Sequence, residues 1–131
     1  MTCDVIATVT YSSDDEAMSA YALAHLYNPT VNDEVLDYLE RIQDTMDPFG
    51  GRFLVHGPTV EAVEGAWPGT VVILTFPDLD AARAWYRSPA YQEILHLRTD
   101  HIDGVAILAE GVPPEYDVRH TAEVLRASMT P

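Results

Sequence analysis

Two short runs, TVVILTF (70–76) and GVAILAEG (104–111), constrain this chain more than anything else in it. In both, Val71, Ile73, Val105 and Ile107 alternate with Val72, Leu74, Ala106 and Leu108. An extended backbone sends alternate side chains to opposite faces, so a sheet built on these runs is apolar on both sides. Such a sheet has to be covered twice. At 131 residues the chain is long enough for one domain. Its own helices can cover one face. The second face is covered most simply by another copy of the chain, so the sequence implies a homodimer.

The rest of the chain supplies the helices. AYALAHLYN (20–28) reads as a strand with Ala22, Ala24 and Leu26 on one side and Tyr21, Leu23, His25 and Tyr27 on the other. Asn32 is a good N-cap, and Asp33 and Glu34 suit the positive end of a helix. Val35, Leu39, Ile42 and Met46 then repeat at helical spacing, until Pro48 and the Gly50–Gly51 pair stop the helix. Residues 52–56 form a second strand. A helix in two pieces follows the 70–76 strand, started by Asp78 or Asp80 and restarted by Ser88 and Pro89. A short terminal helix is expected over 118–129, and a weakly alternating strand over 3–11. The resulting order, β-α-β-β-α-β, is an α+β ferredoxin-like plait: four antiparallel strands with the helices on one face. Two such sheets face to face would make a dimeric α/β barrel.

Composition removes several function classes. Seven basic residues stand against 21 acidic ones, a net charge of −14. That field repels nucleic acid and anionic membrane surfaces. All seven cations are arginines. Without a lysine there is no Schiff-base chemistry and no P-loop lysine, and no GxGxxG fingerprint is present. The only cysteine, Cys3, makes an intramolecular disulfide or a cysteine-based metal site impossible. Nothing resembles a secretory leader or a membrane span, so a cytoplasmic location is expected. The five histidines lack metal-ligand spacing, and neither a metal nor an organic cofactor is expected.

The stretch GGRFLVHG (50–57) poses the functional question. Strict alternation puts Arg52, Leu54 and His56 on one face and Phe53 and Val55 on the other. If helices pack on the apolar sides, Tyr21, His25, Tyr27, Arg52 and His56 share the opposite side, either lining a cavity or sitting at sheet edges. His25 or His56 would then serve as the base, with Arg52 and Tyr27 stabilising a developing anion. Tyr86 and Tyr91, around the break at Ser88–Pro89, either line the cavity mouth or belong to the core.

Several motifs are also familiar together. FGGRFLVHG, VEGAWPGTVVILTFPDLDAARAWYRSPAYQEILHLR and AILAEGV resemble the family of unknown function numbered 1330 over about residues 18–112. The resemblance implies a small dimeric α/β barrel of ferredoxin-like fold, with residues 1–17 an extension and 113–131 a tail. It places Arg52, Glu64, Trp85, Tyr86, Ser88, Tyr91 and Arg98 on the family's characteristic positions. Of these, Trp85, Tyr86, Tyr91 and Arg98, with Tyr21, are candidate substrate-binding residues, and Arg52 and Glu64 form either a structural ion pair or part of the chemistry. Related barrels include cofactor-free monooxygenases, dehydratases, isomerases and cyclases, which is analogy at the level of fold.

Two functions stay open on the sequence. The first is a homodimeric, cofactor-independent enzyme of secondary metabolism, acting by proton transfer on a mostly apolar, aromatic or polyketide-like small molecule. The second is a non-catalytic dimer that binds a small ligand or assists another enzyme.

Overall fold

The computed structural model describes residues 18–57 and 59–129; the strand expected over 3–11 lies outside them. Residues Met18–Gly111 form one compact unit, and the segment beginning at Val112 belongs to another. In the first unit, strand β1 (Ala20–Tyr27) leads to helix α1 (Asp33–Met46), strand β2 (Arg52–Gly57), strand β3 (Thr70–Phe76), helices α2 (Leu79–Arg87) and α3 (Pro89–Thr99), and strand β4 (Asp103–Glu110). In the second, α4 (Val118–Ser128) is capped by Asp117, whose side chain accepts from the Arg119 amide.

The four strands are antiparallel in the order β2-β3-β1-β4. This is the ferredoxin-like plait that the order of sequence elements implies. The helices begin where their capping residues predict. Asn32 accepts from the Val35 amide at 3.0 Å, Asp78 from Ala81 at 2.7 Å, and Ser88 from Tyr91 at 3.3 Å. Ser88 ends α2 and caps α3 at once, with an extended backbone that turns the chain between them. After α1 a short 3₁₀ turn stops at Gly50, whose φ of 71° is the left-handed conformation that glycine adopts without a Cβ clash.

The core lies between one face of the sheet and the helices. Ala20, Ala22, Leu74 and Phe76 meet Tyr38, Ile42 and Met46 of α1, Trp85 of α2, and Tyr91, Ile94 and Leu97 of α3. On α1 the buried stripe differs from the expected one. Leu39 is 43% exposed, whereas Tyr38 is only 6% exposed. The stripe runs Val35–Tyr38–Ile42–Met46, equally compatible with helical spacing.

The other face of the sheet is partly bare among the described residues of this unit. Val105 is 64% and Ile107 55% exposed, although both belong to the runs that read as buried on both sides. Among the described residues no helix is long and apolar enough to cross a membrane.

One irregularity rearranges the second strand. Phe53 pairs with Leu74 and Val55 with Ile73, so Leu54 is an extra residue without a partner on β3. This bulge reverses the alternation beyond it. Arg52 pairs with Thr75 on the bare face, while Phe53 and His56 pair with Leu74 and Val72 on the helix-covered face. The expectation that Arg52 and His56 share a face, opposite Phe53 and Val55, is therefore incorrect.

Candidate functional site

Between the covered sheet face and the helices lies a cavity of about 770 Å³. Small side chains make room for it. Ala22 and Ala24 of β1 and Ala106 of β4 form part of its floor, where larger residues would fill the layer. At one end the β1–α1 and α3–β4 connections are tied together. The Thr30 amide donates to the His101 carbonyl at 2.9 Å, and the His101 imidazole meets the Glu34 carboxylate at 2.6 Å.

One wall is aromatic. The bend at Ser88 sets Trp85, Tyr86 and Tyr91 against one another, with ring centroids 4.2 Å apart for Trp85–Tyr91 and 5.5 Å for Tyr86–Tyr91. The Trp85 indole donates to the buried Thr45 hydroxyl at 3.0 Å, and Thr45 donates in turn to the Ile42 carbonyl at 2.6 Å. Trp85 is thus fixed in orientation and presents a π-face and edge rather than its N–H.

The polar part of the lining is a cluster of Tyr38, Tyr91 and Arg98. The two phenol oxygens are 2.8 Å apart, and Arg98 Nε donates to the Tyr38 oxygen at 3.3 Å. The guanidinium carbon stands 5.7 Å from the Tyr38 ring centroid. Burial pushes the Tyr38 phenol well above its ordinary range; Tyr91 adds to this and Arg98 offsets part of it. Burial works against the charge of Arg98, but the two phenols outweigh it and leave the guanidinium pKa raised.

Residues singled out in the sequence divide between two places. His56, Trp85, Tyr86, Tyr91 and Arg98 border the cavity, and Tyr27, at the end of β1, touches its rim while sharing the strand face of His25. His56 stands at an exposed position with its ring 5.1 Å from Phe53, and its side chain makes no hydrogen bond among the described residues. His25, Tyr21 and Arg52 project from the bare face, registered on Val71, Thr75 and Thr75 respectively. There His25 Nε2 donates to the Pro68 carbonyl at 2.5 Å, with its ring 4.2 Å from Trp67 and 5.2 Å from Tyr27. That imidazole pins the loop before β3 to β1. Arg52 and Glu64 are both exposed, and no ion pair joins them among the described residues. No cluster of histidine, cysteine and carboxylate side chains there is arranged to hold a metal ion.

Tyr38 is the member of the cluster that sequence reasoning missed. Its signal was its position, three after Val35 and four before Ile42, which puts it on the buried stripe. A phenol on that stripe must reach a partner inside the protein.

The model of a domain of unknown function, DUF1330, matches residues 19–112, nearly the whole unit that carries the plait and the cavity. The chain belongs to the DUF1330 family. A protein of unknown function from Rhodopseudomonas palustris resembles this DUF1330 chain with a TM-score of 0.57 at 18% identity, over 87% of this chain and 96% of that one. SnoaB, a cofactor-independent oxygenase from Streptomyces nogalater, resembles it with a TM-score of 0.54 at 15% identity, over 77% of this chain and 100% of that one. At these identities the likeness is one of fold. No curated protein matches this DUF1330 member.

Proposed function

We propose that this protein is a small-molecule enzyme working by proton transfer in the cavity between sheet and helices. Its substrate is a mostly apolar, aromatic or polyketide-like metabolite. The observation that carries the reading is the lining: an apolar and aromatic space of about 770 Å³ with a few polar groups, His56 among them. Pockets of this size and make-up suit small ligands, with sparse polar groups fixing their orientation. His56 takes the proton, because it is the histidine on the cavity and its ring nitrogens are not engaged by the described residues. His25, whose Nε2 is spent on Pro68, has a structural part instead. The anion left by deprotonation goes on to cyclise, isomerise, eliminate water or, with dioxygen as co-substrate, be oxygenated. The fold shared with a cofactor-independent oxygenase supports this range without selecting within it.

The working form is a homodimer joined through the bare sheet face. Val105 and Ile107 on β4 are more than half exposed there, and Leu23 and Ile73 share that face. A second copy presents the same apolar surface and buries both.

The test compares metabolites of the native host with the gene intact, deleted, and restored as His56→Ala. An intermediate that accumulates on deletion and is not cleared by the variant supports the enzyme reading and identifies the substrate. Full rescue by His56→Ala, or no change on deletion, favours a binding or accessory dimer.

A further inference from the structure

The cluster at the cavity wall has more donors than acceptors. Arg98 can only donate, and the groups that meet it are the hydroxyls of Tyr38 and Tyr91. The 2.8 Å contact between those hydroxyls consumes one phenolic hydrogen, whichever tyrosine provides it. Among the described residues the second phenolic hydrogen is then left over, and so are guanidinium N–H groups of Arg98. Tyr38 and Tyr91 are both buried and all three residues border the cavity. The charge is unmatched as well. The sequence carries 21 carboxylate side chains, yet none forms an ion pair with Arg98 among the described residues. Its place in the last turn of α3 gives it only the partial negative charge of a helix C-terminus. A half-buried cation beside surplus donors is complementary to an acceptor that carries negative charge.

We infer that the cavity takes ligands bearing an anionic oxygen, a carboxylate or an ionised phenol or enol, seated on Arg98 and the Tyr38–Tyr91 hydroxyl pair with the apolar body against the Trp85–Tyr86 wall. This rests on the proposal that the cavity is the ligand site, and it narrows the class of ligand. The acceptor requirement comes from the proton count, and the preference for negative charge comes from the unpaired guanidinium. Tyr38 is a positioning residue: its oxygen receives Arg98 Nε and thereby directs the remaining N–H groups.

The test uses paired probes with the intact dimer or full chain: 2-naphthoate against methyl 2-naphthoate, and 4-nitrophenolate against 4-nitroanisole, followed by calorimetry at a pH where the acidic member is ionised. The expected result is binding of the anion at least about tenfold tighter than its neutral partner, one factor of ten being about 1.4 kcal/mol. Preference in the naphthoate pair alone identifies a carboxylate ligand, and preference in the nitrophenolate pair alone a phenolate or enolate. Arg98→Met and Tyr91→Phe should lower the preferred ratio toward one, Arg98→Lys should keep part of it, and Tyr38→Phe should reduce the ratio more than it reduces binding of the neutral probe. Equal binding of anion and neutral partner by the wild-type protein overturns the inference while leaving the cavity as a ligand site. Absence of binding by all four probes overturns both. The wild-type ratio decides the matter even if a variant fails to fold.

Discussion

His25 and His56 stand on opposite faces of the same sheet: His25 is registered on Val71 and His56 on Val72. The separation assigns them different work. His25 holds the loop before β3 through Pro68, and His56 looks into the cavity. His25→Ala is therefore expected to cost about 1 kcal/mol of stability, the usual loss for one hydrogen bond. Thermal melting should fall by several degrees and amide exchange should quicken around Trp67, with 2-naphthoate affinity unchanged. A drop in affinity at unchanged melting temperature would place the ligand on the other face.

Tyr38 makes the protein sensitive to alkali. Its phenol pKa is raised in the folded protein, so between about pH 9 and 11, across the ordinary tyrosine range, the unfolded chain releases a proton that the folded one keeps. The unfolded state then binds fewer protons, and stability falls as pH rises. The contribution is intact below the unfolded value and declines by up to about 1.4 kcal/mol per pH unit above it. Tyr38→Phe removes it. Melting temperatures should fall less steeply with pH in the variant than in the wild type, and parallel curves would show that Tyr38 does not carry this effect.

Thr45 holds Trp85 in place. Thr45→Val keeps the shape but strands the indole N–H in a buried site, which is expected to cost about 1–3 kcal/mol in denaturant unfolding. Thr45→Ser retains the hydroxyl and should recover most of the loss. Destabilisation by Thr45→Ser as large as that by Thr45→Val would show that the hydroxyl alone does not hold Trp85.

Much of the plait was legible in the sequence, and its one large misreading has a definite cause. Asn32, Asp78 and Ser88 cap their helices as their chemistry requires, and the two doubly apolar runs became β3 and β4. The stretch RFLVHG gives no sign of a bulge, because Leu54 satisfies simple alternation as well as any residue. Only pairing against β3 shows that it is supernumerary. That single residue moved His56 from one face to the other, and with it the site. Arg98 and Trp85 were found through family resemblance rather than periodicity, and Tyr91 also through its place beside the break at Ser88–Pro89. Tyr38 was hidden beside Leu39, since α1 can be wound with either on its inner stripe until the partners across the core are known.

The bare sheet face gives a prediction about assembly. Ile107→Asp places a charge at the centre of the proposed dimer contact, facing Leu23 on the neighbouring strand. Light scattering should report a dimer for the wild type and a monomer for the variant, with circular dichroism unchanged. A monomeric wild type would contradict the proposed homodimer.

The most direct measurement of the central claim is made on purified protein, with the metabolite that accumulates when the gene is deleted. Turnover by His56→Ala and His25→Ala is compared side by side. His56→Ala is expected to lose about a hundredfold or more, the usual scale for removing a general base, and His25→Ala to turn over close to wild type. Full activity of His56→Ala together with loss of activity in His25→Ala would contradict it, and would move the chemistry to the opposite face of the sheet.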